Sequence, residues 1–566
     1  MGMNDRMPRA VGARRERERG TVLALVLVLT VLMGTLIAAS VTTTILQTRT
    51  LNYATDSIEA LGLAEGATEV GQKQLIDTVA SFGAPPTSGF VVIGEKKVEW
   101  SATPIGPTVV RTAPDGVRMV AQPYDVSSRV DIDTGTSRVT RVLDLTQTPI
   151  FQYMIFYNDD LEILPGASMT LRGRVHTNGD VYLGTNATLT VDADYFQATG
   201  EILRRRKNDG TATGGTVLLK EYQGTDLLPL APDADSSSAG WEQNALSTWG
   251  GSVKSGDHDV REIATPELQT LQPGGFYSQQ AGLRIVNLTA YNSFGTPVVL
   301  PAGTITQRSM YDARERKTVT LTEIDIARLN ASGSFPANGL IYAHRTDATP
   351  TQPNGVRLKN GAELLAPLTV VSENPVYVQG NYNTVNKKGA AVITDAVNLL
   401  STAWNDTKRA GTLPNAVDTA WNFAMVTGNV RTPDGGGSYS GGFENLPRFH
   451  ENWTNRTATI LGAFVNMYES SFATSPWRYG ADVYTAPNRN WSHDPDFLDP
   501  TRLPPFTPNA VYMRRVLWDD NKPIDFKYQD ERISLLPDTQ PVYDPWLFDV
   551  QFLEKVIVDP NLVKSR

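Results

Sequence analysis

From Thr21 to Val41 the chain reads TVLALVLVLTVLMGTLIAASV, and no charged side chain appears between Gly20 and Arg49. A bilayer core of about 30 Å needs roughly 20 predominantly apolar residues at 1.5 Å rise per residue, so this run has the length to cross a membrane as one helix. A secretory signal has an apolar core of about 7–15 residues, which favours a retained anchor over a removed signal. Leu23, Leu25, Leu27, Leu29, Leu32, Leu36 and Ile37 are the side chains expected to form the membrane anchor and helix-packing surface. Residues 1–20 form a basic leader in which Arg6, Arg9, Arg14, Arg15, Arg17 and Arg19 outnumber Asp5, Glu16 and Glu18. By the positive-inside rule the N-terminus is cytoplasmic, the protein is a single-pass protein of the inner membrane, and everything after Val41 is extracytoplasmic.

The helical pattern continues beyond the membrane-spanning length. Leu51, Ala54, Ile58 and Leu61, then Ala64, Ala67, Val70, Leu75 and Val79, trace an apolar stripe beside Arg49, Asp56, Glu59, Glu65 and Lys73. No proline falls between Pro8 and Pro85, and Gly83 with Pro85-Pro86 supplies a stop. The spacing predicts one helix over 21–80, about 90 Å long, with Gly34, Gly62, Gly66 and Gly71 as costly positions that mark bends.

A basic leader ending in Gly20, an apolar helix, a Thr/Arg/Asn segment and the run Leu63-Ala64-Glu65-Gly66-Ala67 together resemble the N-terminal region of PilX-type minor pilins, components of type IV pilus assembly. Three further blocks, at 151–184, 368–384 and 472–505, resemble large envelope proteins that carry the same kind of start. The first resemblance implies a prepilin processing junction at Gly20 and Thr21, and pilin or pseudopilin subunits as partners of the helix. Two positions depart from the family's pattern. Leu25 stands where many pilins carry a Glu that neutralises a neighbouring N-terminal amine inside an apolar bundle, and Thr21 stands where Phe is frequent. These departures point to a rare, tip or priming subunit rather than a bulk fibre subunit, or to a single-span envelope protein unrelated to pili.

Beyond Gly83 the texture becomes β-rich. Residues 81–148 hold short strand patterns around Phe90–Ile93, Val109-Val110, Val117–Val120 and Val139–Leu145, which suit a small β module. From Phe151, strand-like runs recur every six to ten residues, separated by Pro165-Gly166, Asn178-Gly179 and Gly184-Thr185-Asn186. Such spacing suits a β-solenoid or β-helix, with a β-sandwich as the alternative. The fold class expected is therefore mainly β with one long N-terminal transmembrane α-helix. The body is expected over 149–400 with an insertion at about 200–335, and a β/irregular region over 401–566 completes it. Within the insertion, Leu228–Gly256 reads as a flexible surface excursion, and Arg204-Arg205-Arg206-Lys207 as a solvated hairpin end. Asp434-Gly435-Gly436-Gly437-Ser438 reads as a break, 458–467 as a single core strand, and the proline-rich run 476–508 as irregular wrapping.

The search for chemistry yields few candidates. The net charge of -9 on 566 residues argues against a nucleic-acid partner, and the absence of cysteine removes disulfides and Cys-ligated metals. His176, His258, His344, His450 and His493 lack metal-site spacing, and Gly437-Ser-Tyr-Ser-Gly441 places Tyr439 where a nucleophile elbow needs Ser. No catalytic residue, cofactor or metal is expected. Two loops have oxygen ligands suited to calcium, Asp131–Gly135 and His493-Asp494-Pro495-Asp496 with Asp499, although the first lacks the last ligands of such a loop. Asp159, Asp160 and Asp180 raise the possibility of paired acids acting on a glycosidic bond, against which Asn178-Gly179-Asp180 fits a turn. The expected function is a pilus-associated structural, assembly or adhesion protein that displays a large β body, with surface ligands or glycans as candidate partners of that body. A membrane-tethered, polysaccharide-active enzyme is the alternative.

Overall fold

The computed structural model describes residues 13–515 apart from 114, 115, 134 and 434, and describes side chains from Val22 to Arg514. The first part of the basic leader, the side chain of Thr21, Asp434 of the glycine loop and residues 516–566 of the C-terminal region therefore lie outside the described residues. The described residues are mainly β, with one long N-terminal apolar helix, Ala13–Ala80. Two compact units share the chain. One comprises Met1–Lys73, Pro86–Pro104 and Tyr124–Val142; the other comprises Gln74–Pro85, Ile105–Pro123 and Leu143–Arg566.

In the first unit the helix is exposed on all sides along its apolar run, and from Ala60 it acquires a buried face of Ala60, Leu63, Ala64 and Ala67. Small side chains at this spacing let a neighbouring layer approach the helix backbone. That layer is an antiparallel sheet in which Ser88–Ile93 pairs with Lys96–Pro104, and Lys96–Pro104 pairs with the Tyr124–Ser128 stretch of Arg118–Ile132. Alternation along Lys96–Pro104 turns Val98, Trp100 and Ala102 inward. The Trp100 ring lies so close to Gly71 that a Cβ there would sit 2.8 Å from it, and a Cβ on Gly66 would meet Ile93 at 3.0 Å. Gly66 and Gly71, expected from sequence to mark bends, are instead contact positions in one continuous 68-residue helix. Lys96 and Glu59 join sheet and helix at 2.6 Å, and Arg141 pairs with Glu69.

In the second unit the helix ends where the sequence predicts. Gly83 N–H donates to the Thr78 carbonyl at 2.7 Å, a six-to-one closure with Phe82 in the left-handed region at φ 63°. The Phe82 ring stacks on Phe276 with centroids 3.9 Å apart. From Ile155 the chain forms parallel ladders. Ile155–Tyr157, Val175–Thr177, Phe196–Ala198 and Val253–Lys254 pair in succession. Leu161–Ile163 pairs with Val181–Leu183, which pairs with Ile202–Leu203, and Met169–Arg172 pairs with Thr188–Asp192, which pairs with Thr216–Lys220. A later series runs through Leu283–Val286, Leu340–His344, Leu368–Ser372, Ala390–Thr394, Ala424–Asn429 and Phe464–Glu469. Its last strand pairs with the first strand of the early series, Val465 opposite Phe156. A ladder of parallel strands thus joins segments some three hundred residues apart in sequence. Ile155, Leu161, Met169, Val181, Val356, Val376 and Phe464 belong to one apolar cluster, so strands of several ladders turn their side chains into the same core.

Several expectations change here. Ile202–Leu203, Thr216–Lys220, Leu283–Val286 and Lys317–Asp325 lie inside the expected insertion, yet each pairs in parallel with a strand of the body. Leu228–Gly256 contains the helix Trp241–Trp249, anchored by buried Trp241, Ala245 and Trp249, and is not a simple surface excursion. The run 458–467 is two strands, Thr457–Gly462 and Phe464–Glu469, turning at Ala463. The proline-rich segment contains the strand Asn488–His493, paired in parallel with Thr457–Gly462. Arg204 is buried, donating to the Leu183 carbonyl at 3.4 Å and to Gly215 O at 2.5 Å, while Lys207 pairs with Asp160. Arg205 stays exposed and pairs antiparallel with Ala212, as the hairpin-end reading expects, so only Arg204 and Lys207 depart from it: a cation can be interior when carbonyls or a carboxylate meet it, which a linear charge pattern does not reveal.

Candidate functional site

Two regions carry the residues singled out by the sequence. Gly20 and Thr21 lie within the helix Ala13–Ala80, in an uninterrupted stretch of helical backbone. Leu23, Leu25, Leu27, Leu29, Leu32, Leu36 and Ile37 are each more than half exposed, and they share that exposure with Val22, Val26, Val28, Val31, Met33 and Val41. A helix that is apolar all round requires an apolar medium or other helices around it. Burying even half of thirteen such side chains is worth on the order of 10–20 kcal/mol at about 1.5–3 kcal/mol each. The apolar segment of Val22–Ala80 is a candidate membrane anchor by length and composition.

The second region is a cleft of about 210 Å³ in the β body. It lies where the first strands of the early ladder meet the last strands of the later one. The segment Tyr157–Glu162 supplies one side, Asn429–Thr432 and Asn466–Glu469 supply the others, and Gly441-Gly442 completes the lining. Thus the parallel pairing of Phe464–Glu469 with Ile155–Tyr157 brings these distant segments together.

Its carboxylates are held by named partners. Asp159 pairs with Arg431 and accepts the Asp160 N–H at 2.8 Å; Asp160 pairs with Lys207 and accepts the Asp180 N–H at 2.8 Å. Glu162 accepts a hydrogen bond from the Thr432 hydroxyl, and Glu469 lies 3.7 Å from Arg431. Burial lifts the Asp159 carboxyl above its ordinary range, opposed by the Asp160 N–H and by Arg431. Burial likewise raises Glu162, against the Thr432 hydrogen bond. Behind them, buried Glu444 accepts the Leu164 N–H at 3.2 Å, and burial raises its carboxyl too. Tyr157 is 1% exposed and its hydroxyl has no hydrogen-bond partner among the described residues; burial, then Glu444 and Glu162, hold that hydroxyl well above its usual range.

Of the three acids expected to act together, Asp159 and Asp160 line the cleft and Asp180 does not. Asp180 receives the Glu201 N–H at 2.7 Å and the Tyr182 hydroxyl at 3.3 Å. It works as a backbone acceptor, in keeping with the turn reading of Asn178-Gly179-Asp180. Arg431 and Glu469 were not legible as site residues, because each is isolated in sequence and only the strand pairing assembles them; Glu162 stands two residues after Asp160 but within a strand-like run that gave it no mark as a site residue. Among the described residues, no group of three or more His, Asp or Glu side chains is placed to hold a metal. In the two loops whose oxygen ligands would suit calcium, Asp131 accepts from Thr136 at 2.7 Å and Arg129 at 3.3 Å, while Lys387 occupies the approach to Asp494 at 2.5 Å and to Asp496 at 2.8 Å. His493 bonds to the Phe151 carbonyl at 2.8 Å. Tyr439 and the loop around it pack by backbone, the Trp477 N–H meeting the Tyr439 carbonyl at 2.6 Å.

No protein-family model matches the chain, and no curated protein matches it. Among solved structures, the chain is similar to the crystal structure of the competence-associated pilin ComZ from Thermus thermophilus, at 11% identity, with 82% of this chain and 98% of that chain covered and a TM-score of 0.19. A superposition that loose defines neither a shared fold nor a shared activity.

Proposed function

We propose that this chain is a pilin-like structural, assembly or adhesion protein of the type IV pilus kind, anchored in the inner membrane by its N-terminal helix and displaying a large extracytoplasmic β body. The observation that carries the proposal is the apolar length of the helix, exposed on every side and continuous with a half that packs on a sheet. Such a helix suits both a bilayer and a bundle of similar helices. The PilX-type character of the leader and of Leu63–Ala67 supports the choice of pilin or pseudopilin subunits as its partners. The successive parallel pairing of Ile155–Tyr157, Val175–Thr177 and Phe196–Ala198 around a shared core supports a stacked-coil, β-helix-like body. The body is proposed to act by binding rather than by catalysis, because each cleft carboxylate is engaged by a cation, a hydroxyl or a backbone N–H.

The test is mass spectrometry of the mature N-terminus from cells with and without their prepilin peptidase. A peptidase-dependent start at Thr21 supports the proposal. An intact leader in both strains overturns the pilus role and leaves a single-span envelope protein.

A further inference from the structure

Beside the acidic cleft stands an exposed aromatic pair that the assembly role of the helix does not use. Trp477 is 36% exposed and Tyr479 is 56% exposed; their rings lie nearly parallel, 23° apart with centroids at 6.3 Å. The indole is held in place, its Nε1–H donating to the Tyr484 hydroxyl at 3.2 Å, and that hydroxyl donates to Asn445 Oδ1 at 2.5 Å. Gly441 connects this platform to the cleft. It lines the cleft, and a Cβ built on it would stand 3.1 Å from Trp477 Cδ1.

We propose that the cleft and the Trp477–Tyr479 platform form one binding site for a glycan chain built of neutral or amino-bearing sugars. This deepens the adhesion reading by naming the ligand class of the β body. Planar carboxylate, guanidinium and amide groups match the paired hydroxyls of a sugar, and an aromatic face accepts the apolar C–H face of a pyranose ring. The cleft offers the first set in Asp159, Asp160, Glu162, Arg431 and Glu469, and the platform offers the second. The unpartnered hydroxyl of Tyr157, enclosed beside Glu162, is an unused polar group of the same lining. Asp159, Asp160, Glu162 and Glu469 outnumber the two cations that meet them, Arg431 and Lys207, which disfavours uronic or sialic sugars, so charge complementarity selects the neutral and amino-bearing ones.

The experiment is calorimetric titration of the full-length protein in detergent micelles with three probes: chitosan hexasaccharide, cellohexaose and hexagalacturonate. Chitosan hexasaccharide or cellohexaose is expected to bind at least tenfold more tightly than hexagalacturonate. Trp477→Ala should weaken that binding by tenfold or more. Tyr479→Ala, which removes the more exposed ring of the platform, should weaken it several-fold while keeping the melting temperature, a combination that a purely structural role would not produce. Binding of none of the probes, preference for hexagalacturonate, or affinity unchanged in both variants overturns the proposal; release of new reducing ends replaces binding by cleavage and overturns it as well. The two readings fail separately: an unprocessed leader with intact glycan binding removes the pilus role alone, and a processed Thr21 start without glycan binding removes this site alone.

Discussion

Two regions of this molecule invert the usual distribution of polar and apolar groups, in opposite directions. Between Val22 and Val41 the helix presents thirteen large apolar side chains to the outside. In the β body, Asp312, Arg314, Glu315, Lys408, Arg448, His450 and Glu451 are all at most 5% exposed. Most of these interior groups meet directional partners within the body. Arg448 pairs with Glu315 at 2.6 Å and donates to the Ala473 carbonyl at 2.5 Å; Tyr377 donates to Asp312 at 2.7 Å; Lys408 donates to the carbonyls of His450 at 2.5 Å and Val483 at 3.0 Å. Burial holds the His450 imidazole down to about 3, so it stays neutral and bonds to Asn398 at 2.9 Å. The apolar helix surface has no such internal solution. Polar groups can be satisfied by directional partners within one chain, whereas a helix apolar on every side needs a surrounding phase or other helices.

Breaking the interior set has the largest expected effect. Glu315→Ala removes the partner of Arg448 and leaves a guanidinium in the core, at a cost of about 3–5 kcal/mol, measured as a lower thermal unfolding midpoint of the purified protein. Breaking the exterior set acts on location and not on the fold of the body. Leu29→Arg places a charge in the middle of the apolar run and shifts membrane insertion by about 3–4 kcal/mol, so the protein should become extractable from membranes by carbonate. An extraction profile equal to that of the unaltered chain would show that this run is not the anchor.

A third substitution tests where the helix changes character. Gly71→Val drives side-chain atoms into the Trp100 ring and should cost about 1–3 kcal/mol in thermal unfolding. Gly62→Ala, with nothing within 4 Å of the added carbon, should gain about 0.5–1 kcal/mol from helix propensity alone. Equal responses at the two positions would erase the distinction between an exposed and a packed glycine. A separate effect is one of pH. Burial raises the Glu451 carboxyl to about 7, although it accepts the Ser401 N–H at 2.7 Å and the Ser401 hydroxyl at 2.6 Å. The fold therefore favours the protonated form, and the stability it contributes is full below the ordinary carboxyl range and lost as pH rises through about 7. Glu451→Gln should remove this dependence, making the variant relatively more stable at pH 8 than at pH 5, by up to about 1.4 kcal/mol per pH unit inside the window.

Sequence legibility followed the range of the interactions involved. The helix and its stop at Gly83 were readable because periodicity, the absence of proline and the closing turn are local. Runs such as Leu161–Ile163, Val181–Leu183 and Leu368–Ser372 were readable as strands for the same reason. Arg204 and Lys207 were misread as solvated because their partners, Leu183, Gly215 and Asp160, reach them only through the fold. The cleft was half legible: Asp159 and Asp160 stood out as neighbouring acids, while Arg431 and Glu469 had no local mark.

By itself the sequence determined an apolar helix of membrane-spanning length, its continuation to Ala80 and a mainly β remainder, since each follows from side-chain pattern over a few turns or a few residues. Only the tertiary structure decided which strand stacks on which. The pairing of Phe464–Glu469 with Ile155–Tyr157 joins segments far apart along the chain, and many strands of similar hydrophobicity could have met there. That choice rests on the fit of a shared core and on backbone hydrogen bonds satisfied all at once, and from it come the cleft, the buried charges and every contact that sequence spacing leaves open.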